Sequence, residues 1–194
     1  MVALKWPQRP PNELVVIELI QTAIKELGYG TNTKLITGYR DRLWRSKYAS
    51  NGQVFGNLKI LSETWESARY TSDKQGAIVN FTGGELGQKL AKMQASVAGR
   101  EFVSDWQNIF PGVKDSYLDK SIITNWIDSP YSRGSYACYL VGQWTKFAGA
   151  EGERVKNLFF AGEHCSLEAQ GYMEGGCITG LAVAQAILAE LKVK

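Results

Sequence analysis

Hydrophobic residues recur along the chain in two periods, which predict both helices and strands. Residues 13–27 have apolar side chains every three or four positions, so we predict an amphipathic helix there. Thr33–Tyr39 alternates β-branched or aromatic residues with polar ones, which predicts a strand. Further along, we predict strands at residues 77–81 and 121–126 and a helix at residues 102–110.

The stretch from residue 157 to residue 194 carries the most detailed pattern. An apolar run at residues 158–161 predicts a buried strand, which the pair Gly162-Glu163 ends. From Gly171 onward apolar residues have helical spacing, so we predict a helix that turns one stripe towards a core. The stripe consists of Cys177, Leu181, Ala184, Leu188 and Leu191.

Five glycines crowd the start of this predicted helix and leave two interpretations open. Each glycine costs about 0.5–1 kcal/mol relative to alanine inside a helix, so something must approach the backbone closely. One interpretation is tight packing of the helix on the preceding strand. The other is a ligand with an anionic or polarised carbonyl group, which suits the free amides at a helix amino terminus. The glycines are Gly162, Gly171, Gly175, Gly176 and Gly180.

Charge and hydropathy argue against two classes of partner. The 194 residues include 22 basic and 19 acidic side chains, a net charge of +3, without a dense Lys/Arg cluster, so we expect no nucleic-acid partner. No apolar stretch approaches the length of about 20 residues that a membrane span needs, so we expect no membrane segment. Since the amino terminus lacks the apolar core of a signal peptide, we expect a cytoplasmic location.

The cysteine and histidine content argues against metal chemistry. Cys138, Cys165 and Cys177 are widely spaced and odd in number, which suits neither a disulfide framework nor a metal-ligand pair. The single histidine, His164, cannot build a histidine-rich centre. We therefore expect no metal site and interpret His164 as a neighbour of the turn at Gly162.

Residues 82–87 imitate a dinucleotide-binding turn. Their pattern is Thr-x-Gly-x-x-Gly after a predicted strand, but the first glycine of the fingerprint is missing. Asp105 falls inside a predicted helix and not at a strand end, where the acidic partner of such a turn belongs. We predict only a turn at Gly83 and Gly84.

The most specific motif is FFAGEHCSLEAQGYMEGGCITGLAVAQAIL, at residues 159–188. It closely resembles the carboxyl-terminal FAD-binding segment of the flavin-containing amine oxidases, the monoamine and polyamine oxidase family. The resemblance implies that Gly162 and Glu163 meet the ribityl and pyrophosphate region of FAD. It also implies that the helix beginning at Gly171-Tyr172-Met173 directs its amides at the flavin pyrimidine carbonyl, where a helix amino terminus stabilises negative charge.

A second stretch, GYGTNTKLITGYRDRLWR at residues 28–45, resembles the segment of that family that carries a lysine facing the flavin. The resemblance implies that Lys34 addresses the hydride-accepting ring nitrogen through a water molecule. Taken alone, a lysine on a strand is usually solvated. The resemblance therefore makes Lys34 a predicted catalytic residue.

A third stretch, NWIDSPYSRGSYACYLVGQ at residues 125–143, resembles the same family. It implies that Trp126 lies near the flavin and that the rings of Tyr136 and Tyr172 stand parallel and orient the amine by cation–π attraction. Animal monoamine oxidases attach FAD through a cysteine at the position of Ser135. Because a hydroxyl cannot form that thioether, we expect non-covalent FAD.

The resemblance covers nearly all of this chain but only the carboxyl-terminal part of the family's usual enzyme. We therefore expect an α+β fold, an α/β-type fragment with a substrate-domain sheet, its helices and the carboxyl-terminal strand–turn–helix of an FAD-binding domain. The amino-terminal Rossmann half is expected to be absent. Residues 1–110 are assigned to the substrate domain, and residues 111–194 to its remaining strands and the FAD-binding segment.

Three functional hypotheses follow from the resemblance. In the first, the chain is a fragment or subunit of an FAD-dependent oxidoreductase that oxidises a small amine to an imine with oxygen as acceptor, giving hydrogen peroxide, and a complementary amino-terminal FAD-binding chain completes it. In the second, it is a catalytically silent partial domain that binds a complementary polypeptide. In the third, it belongs to an L-amino acid oxidase, which needs a cation for the substrate carboxylate. The candidate cations are Arg40, Arg42, Arg45 and Arg133.

Overall fold

The computed structural model describes residues 13–191. The chain divides into two compact units. The central unit is Thr31–Ser135, and the terminal unit combines residues 13–30 with residues 136–191. The domain boundary predicted near residue 110 falls within the central unit and stays a prediction.

Helices and strands are mixed along the described residues. The helices are α1 (Glu13–Glu26), α2 (Leu43–Ser46), α3 (Gly84–Ala91), α4 (Ala95–Ile109), α5 (Val113–Ser116), α6 (Gln143–Phe147) and α7 (Met173–Leu191). The strands are β1 (Thr33–Tyr39), β2 (Val54–Phe55), β3 (Glu63–Glu66), β4 (Gly76–Thr82) and β5 (Tyr117–Asn125), and 3-10 helices lie at Ala150–Gly152 and Glu163–Cys165. This content confirms the predicted α+β class, and α1 and β1 lie where the sequence patterns predict them.

The central unit is built on a five-stranded antiparallel sheet with the strand order β2-β3-β4-β1-β5. In β1, Leu35 lies opposite Asn80 of β4 and Ile123 of β5. Side chains of β1 alternate between buried and partly buried, because successive residues of a strand point to opposite faces. The buried face packs in a core that contains Trp44 and Trp106.

Asp105 ties a loop of the central unit to α4. Its buried carboxylate accepts, through Oδ2, the backbone N–H groups of Ile60 at 2.8 Å and Leu61 at 3.1 Å. These two contacts hold the segment between β2 and β3 against the helix. Asp105 therefore has a structural role. Gly83 alone separates β4 from α3, which begins at Gly84.

The terminal unit gathers its core from both ends of the described chain. α1 packs on α6 and on the 3-10 helix at Ala150–Gly152. The buried apolar side chains of this core are Ile20, Ala23, Phe147 and Ala150. α7 packs on the 3-10 helix at Glu163–Cys165.

The strand predicted at residues 158–161 is wrong. Leu158 forms only an isolated bridge with Val155, and within residues 13–191 no strand of the sheet pairs with this run. A strand is stable only when a neighbour satisfies its backbone N–H and C=O groups, and the apolar run lacks such a neighbour among the described residues. Apolar composition alone was therefore an insufficient signal.

The direction predicted for the apolar stripe of α7 is also wrong. The packed face of the helix is the opposite one, which carries buried Gly175 and partly buried Thr179. A Cβ atom at residue 175 would lie 2.3 Å from the carbonyl oxygen of Ala169, so the helix can approach this backbone only with glycine at that position. The larger apolar residues consequently point outwards. All five residues of the predicted stripe, Cys177, Leu181, Ala184, Leu188 and Leu191, are exposed.

By length and composition alone, α7 is the one helix within residues 13–191 that could cross a membrane. The expectation that no apolar stretch approaches the length of a membrane span is therefore wrong, since α7 has 19 residues, but length and composition alone do not show that it crosses a membrane. The absence of a membrane segment therefore stays a prediction.

Replacing Asp105 by alanine is expected to destabilise the chain by about 2–3 kcal/mol, because the N–H groups of Ile60 and Leu61 lose their shared acceptor. The free energy of unfolding is measured by urea denaturation followed by tryptophan fluorescence. Asp105→Asn is the matched control, since its carbonyl oxygen still accepts both N–H groups, and it should lose less than half as much. Equal losses in the two variants would contradict this role.

Cys165 is a half-buried thiol in the 3-10 helix at Glu163–Cys165. Its Sγ lies 3.2 Å from the carbonyl oxygen of Glu151. Burial first, and then the negative charges of Glu151 and Glu163, raise the pKa of the Cys165 thiol from 9.0 to about 11. Because the thiolate is the nucleophile, such a shift lowers reactivity below pH 9 by on the order of 100-fold.

At pH 8.5, iodoacetamide is therefore expected to alkylate the exposed Cys138 and Cys177 well before Cys165. The rates are followed by mass spectrometry of the tryptic peptides. Raising the pH towards 11 should bring the alkylation rate of Cys165 closer to those of Cys138 and Cys177, because the Cys165 thiolate then forms. The urea-denatured chain is the control, in which all three thiols should react at similar rates. Equal rates in the folded chain would rule out the raised pKa of Cys165.

Candidate functional site

Glu163 is the centre of the arrangement in the terminal unit. It follows Gly162, whose φ of 150° lies in a region that favours glycine. Its carboxylate accepts two backbone N–H groups, from Ala137 to Oε1 at 2.8 Å and from Gly171 to Oε2 at 2.7 Å. Segments that lie 26 and 8 residues from Glu163 in sequence are thus joined through one side chain.

The two predicted catalytic tyrosines adjoin these two contacts. Tyr136 immediately precedes Ala137, and Tyr172 immediately follows Gly171. The ring of Tyr136 lies against Gly171, since a Cβ atom there would be 3.4 Å from its Cδ2 atom, and Gly171 has a φ of 83°. Both rings are solvent-accessible, Tyr172 to 72%. Their parallel arrangement stays a prediction.

The segment that carries Tyr136 is anchored to the end of α1. The carbonyl oxygen of Tyr136 accepts the N–H of Gly30 at 2.8 Å, and Cys138 donates its N–H to the carbonyl oxygen of Gly28 at 2.8 Å. These bonds flank an isolated bridge between Tyr29 and Ala137. The N–H of Ala137 therefore points away from residues 28–30 and towards Glu163.

Gln143 reinforces this anchor from inside the terminal unit. Its Oε1 accepts the N–H groups of Gly28 at 3.1 Å and Leu140 at 2.9 Å, and its Nε2 donates to the carbonyl oxygen of Glu26. Sequence reasoning missed Gln143. A buried glutamine at the first position of a short helix has no pattern that distinguishes it from an exposed one.

Thr179 joins the turn at Gly162 to α7. Its Oγ1 lies 3.0 Å from the backbone nitrogen of Gly162, which donates to it, and 2.8 Å from the carbonyl oxygen of Gly175. Sequence reasoning missed this contact as well. A signal was present, because Gly175 and Thr179 are four residues apart and therefore share one face of a helix.

Contacts and backbone angles within the chain account for three of the five glycines. Close packing accounts for Gly175, and positive φ angles account for Gly162 and Gly171. In contrast, a Cβ atom at Gly180 would meet no atom within 4 Å. Near Gly180, α7 therefore presents open backbone.

The amino end of α7 is accessible. Met173, its first residue, is 91% exposed. The first N–H groups of any α-helix have no partner within that helix, and the helix dipole makes this end positive. The N–H groups of Gly171 and Tyr172 are already donated, to Glu163 and to the carbonyl oxygen of Ala169, so Met173 marks the part of this helix end that is accessible to an electron-rich group.

Tyr29 is 41% exposed, and both partial burial and nearby negative charge act on its phenol. Burial first, then the charges of Glu163 and Cys165, raise the pKa of the Tyr29 phenol. Tyr29 therefore stays neutral beside the Glu163 carboxylate. The imidazole of His164 lies over Gly162, where a Cβ atom would be 2.4 Å from its Cε1 atom, consistent with a neighbour of the turn.

Lys34 and Trp126 belong to the central unit. Lys34 is the second residue of β1, and its Nζ lies 5.9 Å from the ring centroid of Trp65 and 5.7 Å from that of Phe81. Trp126 directly follows β5, whose last residue pairs with the first residue of β1. Lys34 and Trp126 therefore lie towards the same end of the sheet, with Trp126 47% exposed.

The arginines proposed as carboxylate ligands have other contacts. The carboxylate of Glu66 lies 3.2 Å from Nε of Arg42 and also pairs with Arg45. Arg40 donates to the backbone carbonyl oxygen of Asp115 at 3.3 Å. Two of the four candidates are therefore committed to an internal ion pair, whereas Arg133 is exposed.

Comparisons with known proteins assign the family. The model of the flavin-containing amine oxidoreductases matches residues 9–188. Polyamine oxidase 4 of Oryza sativa subsp. japonica is 26% identical over 168 residues, which are 84% of this chain and 32% of that protein. Flavin-containing amine oxidase A of Sus scrofa is 25% identical over 167 residues, with 85% and 32% covered. This chain spans about a third of the length of these curated relatives.

Solved structures show the same fold. Cyclohexylamine oxidase from Brevibacterium oxydans IH-35A superimposes with a TM-score of 0.76 at 21% identity, over 88% of this chain and 38% of that one. Putrescine oxidase bound to putrescine gives a TM-score of 0.70 at 17% identity, over 83% and 36%. Since the family model covers nearly the whole sequence, the chain belongs to the family of flavin-containing amine oxidoreductases, as its three motifs indicate.

Proposed function

We propose that this chain is the cofactor-contacting and substrate-domain part of an FAD-dependent oxidase. The reaction removes two electrons and two protons from an amine, leaves an imine, and passes the electrons to dioxygen as hydrogen peroxide. The observation that carries the proposal is the convergence of the Tyr136 and Tyr172 segments on Glu163, beside the accessible amino end of α7.

The residues of the terminal unit fit a flavin. The positive amino end of α7 suits a polarised carbonyl of the ring, and the open backbone near Gly180 leaves room for a flat group. Bound FAD supplies the acceptor for the two electrons. Non-covalent binding is supported by Ser135, whose hydroxyl donates to Oδ1 of Asn32 at 2.7 Å and offers no sulfur for a thioether.

The proposed substrate is a small, unprotonated amine. Tyr136 and Tyr172 orient it, and their rings favour the positive charge that develops on nitrogen as the carbon–hydrogen bond breaks. The role proposed for Lys34, by resemblance to the family, is to hold a water molecule that faces the flavin. An L-amino acid is the weaker choice of substrate, because Arg42 and Arg45 already pair with Glu66.

A second candidate function is association with a complementary amino-terminal FAD-binding chain. α7 exposes a row of apolar side chains, among them Leu181 at 62% exposure, along a helix of 19 residues. Burying such a row is favourable by about 25 cal/mol per Å² of apolar surface. In this case the isolated chain is catalytically silent and the complex is the enzyme.

Reconstitution distinguishes these two functions. The purified chain is incubated with FAD, dialysed and assayed by visible absorption and by peroxide release from benzylamine and putrescine. The first function predicts retained flavin and peroxide. The second predicts a colourless chain that gains flavin only with the part of a similar amine oxidase that this chain does not cover. No flavin under either condition would refute both.

Replacing Tyr136 or Tyr172 by alanine is expected to lower kcat/KM for benzylamine by roughly 10-fold in the reconstituted enzyme, the size of a cation–π contact of about 1–2 kcal/mol. Flavin content should not change. Tyr70→Ala is the matched control, because Tyr70 is exposed and lies in the central unit outside the proposed site. Unchanged kinetics in both site variants would argue against the amine-orienting role.

A further inference from the structure

We infer that Glu163 is a positioning residue that sets the relative placement of Tyr136 and Tyr172. The inference rests on the proposed function, in which these two rings orient the amine. It goes beyond a contact with FAD, because both carboxylate oxygens of Glu163 are engaged by backbone groups of this chain.

Each of the two donors belongs to a residue next to one of the two tyrosines in sequence. One is the N–H of Ala137, the residue after Tyr136, and the other is the N–H of Gly171, the residue before Tyr172. The distances of 2.8 and 2.7 Å are those of hydrogen bonds to an ionised acceptor. One carboxylate therefore fixes the backbone at both rings.

The backbone N–H of Ala137 needs an acceptor on the side that faces Glu163. Its neighbours on either side bond to residues 28–30, so its own N–H points the other way. Ala137 is 3% exposed, so water does not replace the carboxylate. A buried N–H without a partner is costly, and the segment would shift if Glu163 were absent.

The contact at Gly171 transmits any such shift to both rings. The Tyr136 ring already lies against Gly171, and the left-handed φ of 83° at Gly171 sets the direction in which the chain continues to Tyr172. Loosening either N–H contact therefore changes the relative placement of the two rings.

Glu163→Gln tests this role with almost no change in volume. A glutamine presents one acceptor oxygen and one NH₂ donor, so it cannot accept both N–H groups. Glu168→Gln is the matched control. Glu168 is exposed and lies five residues further along the same loop, so its substitution removes the same charge without touching either contact.

The experiment uses the full chain labelled with 3-fluorotyrosine, without flavin or amine. Hydrogen exchange should become at least 10-fold faster at Ala137 or Gly171 in Glu163→Gln, and the fluorine signals of both Tyr136 and Tyr172 should shift. The signal of buried Tyr39 and the exchange of Ala23 in α1 should stay unchanged, which separates positioning from unfolding. Glu168→Gln should match the wild type throughout.

Unchanged exchange at both amides, unmoved signals of the two tyrosines, or changes of similar size at Tyr39 and Ala23 would each overturn the inference. Because these measurements need no cofactor, a failure to oxidise amines would count against the proposed function alone. In a reconstituted enzyme that oxidises benzylamine, Glu163→Gln should lower kcat/KM while flavin content stays constant. A parallel loss of flavin would assign Glu163 to cofactor retention and overturn the positioning role.

Discussion

The carboxylate of Glu163 is the contact on which the terminal unit's candidate site depends. It accepts N–H groups from two segments that lie 26 and 8 residues away in sequence. A half-buried carboxylate is stable only when donors replace the water it has lost, and backbone donors are rigid partners. The same contact that satisfies the charge therefore also fixes the chain on either side of it.

Two glycines make this contact possible. Gly162 has a φ of 150° and Gly171 a φ of 83°, and other residues adopt neither readily. Thr179 then ties Gly162 to α7, while Gly175 lets the helix come close to the backbone of Ala169. The small residues thus bring a turn, a loop and a helix amino terminus together, and the two exposed tyrosine rings lie on this frame.

Local and family-level features were predictable from the sequence. Periodicity located α1 and β1, and the long motif at residues 159–188 identified the family. The roles of the individual site residues stay predictions. The residues themselves lie on two compact units: Lys34 and Trp126 on the central unit, and Tyr136, Glu163 and Tyr172 on the terminal unit.

Other features were not predictable, for identifiable reasons. The spacing of α7 shows that one stripe is apolar, yet it does not say which face is packed, and close approach selected the glycine face. The run at residues 158–161 has the composition of a strand, but pairing depends on a neighbour that composition does not reveal. Contacts of Gln143 and Asp105 depend on loops distant in sequence, and no local pattern marks them.

The most direct measurement is a crystal structure of the chain bound to FAD, together with any polypeptide it needs for binding. The account predicts that the flavin ring contacts Tyr172 and Met173 at the amino end of α7, with the Tyr136 ring beside it. A flavin bound elsewhere, away from all three residues, would contradict the account.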